Sequence, residues 1–156
     1  MFESILVPVD GSEPSNRAVT LALQVAHVTS ARVLFINAVN SEGIILETGG
    51  APFVDPQPAI DQLTRDGSAA LAAAAEGASA AGVTATTEQV EGEPVRRIVE
   101  LADERGCSLI VMGSHGRSGI ARLVLGSVTE GVLRHSHVPV LCIRSDAHAR
   151  DAGSKP

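Results

Sequence analysis

A chain of 156 residues is long enough to bury one substantial core and reads as a single domain. With no Trp, no Tyr and three Phe, that core has to be built from Val, Leu, Ile and Ala. A formal charge of −6 argues against non-specific binding to nucleic acid or to an anionic membrane, both of which want a basic stripe, so any bound anion is expected to be held locally, by backbone amides and a few arginines. No run approaches the roughly 18 apolar residues of a membrane span, and MFESILVPVD lacks a basic region followed by an apolar signal core, so a cytoplasmic location is expected.

Residues 4–9 (SILVPV) form a short apolar run that ends at Asp10-Gly11-Ser12, the pattern of a buried strand entering a turn. Pro14 suits the first turn of a helix, and Ala18, Leu21, Ala22, Val25 and Val28 recur at helical spacing to about residue 29. A second strand is expected over 32–39 (RVLFINAV), followed by a polar connection containing Gly and Pro from 40 to about 57. That connection exceeds the usual ~4 to 6 residues and is read as a surface loop.

An Ala-rich helix is expected over 58–81, with Ile60, Leu63 and Leu71 on its apolar side. Residues 83–90 (VTATTEQV) alternate as a half-buried strand does. Glu93-Pro94 opens a helix with Val95, Ile98, Val99 and Ala102 on one stripe, closing near Gly106. Residues 108–112 (SLIVM) read as a buried strand, 127–135 as a helix with Arg134 and His135 at its negative end, and 138–144 (VPVLCIR) as a last strand. The domain is expected to end at about 145, with 146–156 a disordered polar tail.

Five strands alternating with four helices predict a doubly wound, Rossmann-like α/β fold: one five-stranded parallel sheet with helices on both faces and the first strand near the middle. Ligands of such sheets sit beyond the carboxyl ends of the strands, where the strand order reverses. The segments after strands one and four flank that point. They are Asp10-Gly11-Ser12 and GSHGRSGIARLVLGSVTEG, residues 113–131.

In the second segment Gly113, Gly116, Gly126 and Ser127 follow a buried strand and open a helix. Glycine lets a ligand approach the backbone without a Cβ in the way, and free N–H groups at a helix start attract an anion. Ser127 Oγ with the amides of Ser127 and Val128 suits one phosphate, and the stretch from Gly113 to Arg117 another. It is not a Walker A motif, which needs GxxxxGK, nor the dinucleotide GxGxxG, which belongs after the first strand. Arg117 and Arg122 are the only cations nearby, and Arg122 is as readily a solvated charge.

Those positions match G-x2-G-x9-G-[S/T], and the chain resembles universal stress proteins of the ATP-binding type. The likeness covers most of residues 2–144, most closely in ILVPVDGSEPSNRAV and in the C-terminal third. It implies the strand order 3-2-1-4-5 for the sheet, and an adenine nucleotide, ATP, as ligand, with Mg2+ or Mn2+ on its phosphates. Pro8, Val9 and Asp10 would hold the adenosine, the aspartate lying close to the ribose or to a metal-bound phosphate. Ala38 and Val39 would border the adenine. Met112, Gly113, His115, Gly116 and Arg117 would line the ribose and phosphates, with Gly126, Ser127 and Val128 closing around the phosphate tail. From its residues alone, Asp10 reads equally as an Asx-turn before the first helix.

Three function classes follow: a nucleotide-binding regulatory module in a homodimer, a slow ATPase or self-phosphorylating enzyme, and an interaction protein with an unused pocket. The intact glycines favour the first over the third, and the absence of a motif lysine and a water-positioning group favours it over the second. Ser114 and His115 are read as unable to form a catalytic pair, because neighbouring side chains rarely converge and no orienting acid is evident. His135 and His137 lack a third ligand for a metal. Cys107 and Cys142 read as buried small hydrophobes. The last strand, 138–144, is an apolar edge that invites pairing with a second copy, as the resemblance also implies, and Pro139 fits such an edge.

Overall fold

In the computed structural model, which describes residues 2–49, 54–115 and 125–144, the five apolar runs form one sheet. Its strands are β1 (Ser4–Pro8), β2 (Arg32–Val39), β3 (Ala85–Glu91), β4 (Leu109–Gly113) and β5 (Val140–Ile143). They lie in the expected order β3-β2-β1-β4-β5, with every pairing parallel. The central strands β1 and β4 are buried along their length, apart from a half-buried Pro8, as strands covered on both faces must be.

The helices are α1 (Glu13–Thr29), α2 (Ser41–Thr48), α3 (Gln57–Ala80), α4 (Pro94–Glu104) and α5 (Ser127–His135). Side chains alternate across a strand, so each strand supplies both cores. On one face Ile5, Val7, Val33, Phe35 and Val111 pack with Ala18 and Ala22 of α1 and Leu71 and Ala74 of α3. On the other, Leu6, Ile36, Ile110 and Met112 pack with Ile98 and Leu101 of α4 and Val132 of α5. The predicted aliphatic core is what the structure contains, with Phe35 as its one fully buried aromatic among the described residues.

Three sequence expectations change. The described residues form five helices rather than the four expected, because the connection expected over 40–57 contains α2. Asn40 caps it by accepting the Gly43 N–H at 3.0 Å, and Glu91 of β3 takes the Ser41 N–H and hydroxyl at 2.9 and 3.0 Å. Ile44, Ile45 and Leu46 are consecutive and none of α2 is buried, so no helical stripe marks it in the sequence. In α1 the buried row is Ala18, Ala22 and Ala26 with Leu23, which turns Val28 away from the sheet to 84% exposure. Finally, β5 is shorter than 138–144: Ser136 ties Val138 into a turn, and Pro139 offers only its carbonyl, which accepts the Ile110 N–H at 2.9 Å. The tail from 146 lies outside the described residues.

Close packing at the carboxyl end of β4 depends on Gly113. A Cβ there would stand 2.7 Å from Pro14 Cβ and 2.8 Å from its carbonyl carbon, so α1 and β4 could not both keep their places. At Gly77 of α3 the same atom would make an ordinary 3.6 Å contact with Leu23. Gly113→Ala is therefore expected to lower stability by about 1–3 kcal/mol, and Gly77→Ala to raise it by about 0.5–1 kcal/mol. Urea unfolding of the two variants would show the opposite signs.

Candidate functional site

A crevice opens between β1 and β4 because the ladder there runs out of donors. Val9 N–H donates to the Ile36 carbonyl at 2.8 Å, so Val7 and Val9 turn their backbone groups toward β2. The strand alternation then turns those of Leu6 and Pro8 toward β4. Pro8 has no N–H to give, and pairing of β1 with β4 ends at Leu6 opposite Ile110. Beyond that point β4 is tied the other way, Ser114 N–H donating to Ile143 of β5 at 2.7 Å. The strand order reverses at this same place.

The loop after β1 is self-bound. Asp10 Oδ1 accepts the Ser12 N–H at 2.9 Å across Gly11, whose φ of +79° suits glycine. Ser12 caps α1 through the Ser15 N–H, and Ser15 Oγ accepts the Asp10 N–H at 3.2 Å. Asp10 therefore does form the Asx-turn its sequence allows, and its Oδ2 carries no hydrogen bond among the described residues.

On the opposite wall Gly126 caps α5 with no side-chain hydrogen bond. Its own N–H donates to the Ser114 carbonyl at 2.8 Å, which docks the helix start against β4. Buried Thr129 adds a second tie, donating its hydroxyl to the Gly113 carbonyl at 2.9 Å. Ser127, Val128 and Thr129 occupy the first turn, where backbone N–H groups have no intrahelical acceptor. That turn carries the positive end of the helix dipole.

The resulting cleft measures about 250 Å3 and is mainly apolar in lining. It brings together Pro8, Val9, Asp10, Ala38, Met112, Gly113, His115, Gly126, Ser127 and Val128, ten of the residues singled out in the sequence. Val39 is not among them: it is buried, and its carbonyl accepts the Gly92 N–H at 2.9 Å on the β3 side. Gly116, Arg117 and Arg122 lie outside the described residues. The sequence reading missed Ser15, Ile36, Asn37, Pro94, Ile98 and Thr129. Pro94 and Ile98 come from α4, which no motif connects to the cleft.

The Ser114–His115 expectation is corrected in part. The two side chains do converge, Oγ to Nδ1 at 2.9 Å. Ser114 is nevertheless only 2% exposed and is absent from the cleft wall, so its hydroxyl orients the His115 ring from behind. His135 Nδ1 meets the Gly131 carbonyl at 2.8 Å, and no cluster of three metal-ligating side chains occurs among the described residues. Cys107 is buried as expected, with the Ser4 hydroxyl 3.7 Å from its sulfur. Burial pushes its thiol pKa up, partly offset by Ser4, Arg32 and Arg105. Cys142 on β5 is only half-buried because it sits on an edge strand; burial raises its thiol pKa as well. No described helix is long and apolar enough to cross a membrane.

Fold and cleft together define a doubly wound α/β protein with an open crevice at its switch point. The sequence pattern of the universal stress protein family matches residues 1–144, and the chain belongs to that family. It is 34% identical over 145 residues to the universal stress protein MJ0531 of Methanocaldococcus jannaschii, covering 92% of this chain and 83% of that one. Among solved structures it is similar to the hypothetical protein MJ0577 of the same organism, with a TM-score of 0.78 and 26% identity over 93% of this chain and 97% of that one. It is also similar to a universal stress protein crystallised in complex with cAMP, with a TM-score of 0.64 and 35% identity over 92% and 97% of the two chains.

The Thr129 tie is testable by itself. Thr129→Val keeps the shape but leaves the buried Gly113 carbonyl without its donor, and is expected to cost about 1–3 kcal/mol in denaturant unfolding. A variant as stable as the parent would mean that the α5 start is held by Gly126 alone.

Proposed function

We propose that this protein is an ATP-binding regulatory module, acting as a homodimer, with the nucleotide seated in the crevice between β1 and β4. One observation carries the reading: the first turn of α5, with its outward N–H groups, faces across a mainly apolar cleft to the ends of β1 and β2. An apolar slot for a base at one end and anion donors at the other suit an adenine nucleotide. The relative crystallised with cAMP supports an adenine nucleotide in this family.

Ala38 and the end of β1 would take the adenosine, with Asp10 Oδ2 accepting from the ribose or joining a metal-bound phosphate. Met112, Gly113 and His115 would line the ribose and phosphates, joined by Gly116 and Arg117. Gly126, Ser127 and Val128 would close on the phosphate tail. A divalent ion would have Asp10 as its one carboxylate and draw its other ligands from phosphate and water, the usual habit of Mg2+.

Ser127→Pro tests the α5 turn. Proline is tolerated at the first helical position, and Gly126 already has the extended conformation (φ −60°, ψ 148°) that a following proline requires. The variant loses one amide donor and the hydroxyl, so ATP affinity should fall about tenfold or more, with adenosine affinity little changed. Titration calorimetry with both ligands separates the two. Equal loss for both, or none, would remove α5 as the phosphate site. Conversion of labelled ATP to ADP at a rate abolished by Asp10→Ala would replace a binding module with an enzyme.

Pairing of two copies would use β5. It is an edge strand, and Leu141 on it is 38% exposed. Leu141→Lys is expected to halve the mass seen by light scattering at micromolar concentration. A parent protein already monomeric there would dismiss this interface.

A further inference from the structure

The end of β2 presents an edge that the sheet should have used up. Ile36 bonds to β1 through its carbonyl, and Val39 to β3 through the Gly92 N–H. By the alternation of the ladder, Ala38 turns its N–H and C=O toward β1. The next rung of the ladder would run from Ala38 N–H to the Val9 carbonyl. It is not made: that carbonyl accepts instead from Nδ2 of Asn37, at 2.8 Å. Ala38 lines the cleft, half-buried, with no hydrogen bond to its backbone groups from the β1 side among the described residues.

The Asn37 amide has no freedom to do otherwise. The side chain is nine-tenths buried, and its Oδ1 accepts from Gln89 Nε2 at 3.1 Å. Gln89 is itself fixed, donating to the Thr64 carbonyl at 2.9 Å and accepting from the Ser68 hydroxyl at 3.3 Å. With Oδ1 committed to Gln89, Nδ2 has to face Val9. α3 can lie over this network because residue 67 is glycine: a Cβ there would collide with Asn37 Oδ1.

We propose that Asn37 is a positioning residue that replaces one rung of the β1–β2 ladder, and so keeps the N–H and C=O of Ala38 open to a ligand in the cleft. An N–H beside a C=O on one edge recognises a planar heterocycle carrying an acceptor next to a donor, as the aminopyrimidine edge of adenine does. This part of the inference rests on the nucleotide reading of the cleft. The ladder substitution itself does not.

The test compares the full chain with Asn37→Ala and with Gly67→Ala, which displaces the Asn37 amide from the α3 side without entering the cleft. Leu23→Ala serves as a control that loosens the same core. Amide exchange is followed by NMR, and adenosine binding by calorimetry. In the parent, Ala38 should exchange at least tenfold faster than Ile36 and Val39. In both network variants the rung should close onto Val9, slowing Ala38 at least tenfold and weakening adenosine at least tenfold. Leu23→Ala should change overall stability and neither readout.

Should Asn37→Ala fail to fold, Gly67→Ala alone decides, since it retains every polar group. An Ala38 amide as protected in the parent as Ile36 would overturn the proposal, as would folded variants with unchanged exchange. If the parent binds no adenosine while the exchange pattern holds, the ladder substitution stands and the nucleotide reading of the cleft falls.

Discussion

A single missing donor organises this molecule. Pro8 ends the central strand with its backbone nitrogen on the β4 side, where a parallel ladder needs an N–H. β1 therefore stays bonded to β2 through Val9, while β4 stays bonded to β5 through Ser114, and the two halves of the sheet part between them. Proline is ordinarily kept out of central strands. Here it stands at the last residue, where the loss of one rung is also the opening of a crevice.

The halves can part without loosening because each has its own core and its own ties. Ile5, Val7 and Phe35 pack under α1 and α3, and Leu6, Ile36 and Ile110 under α4 and α5. The two walls are then fixed by short polar contacts close to the cleft: the Asp10–Ser12–Ser15 loop on one side, the Ser114–Gly126 and Gly113–Thr129 bonds on the other. Gly113 admits Pro14 at the junction, so the start of α1 and the end of β4 meet with no side chain between them. Such a preorganised cleft can spend little of a ligand's binding energy on ordering its own walls.

How much of this was legible beforehand depended on whether the signal was local. Strand runs such as RVLFINAV and SLIVM declare themselves by continuous apolar residues, and the glycine pattern from Gly113 to Gly126 declares a strand-to-helix turn. α2 did not, because a helix that buries nothing has no stripe to read. Val39 was read as bordering the cleft although its backbone serves β3, since a run of apolar residues does not show which neighbour each rung faces. Pro94, Ile98 and Thr129 were invisible for a related reason: they reach the cleft only once α4 and α5 are laid on the same face.

The sequence by itself determined the α/β class, the aliphatic core and the two segments that flank the switch point. All of these rest on periodicity, turn chemistry and connection rules that act within a few residues or follow from chain order. Only the tertiary structure decided which backbone groups the sheet leaves unpaired. That outcome turns on Asn37, Gln89 and Val9, residues brought together from β2, β3 and the end of β1. Hydrogen-bond partners separated by dozens of residues leave no trace in local pattern, because each side chain is ordinary where it stands and acquires its role from what folds against it.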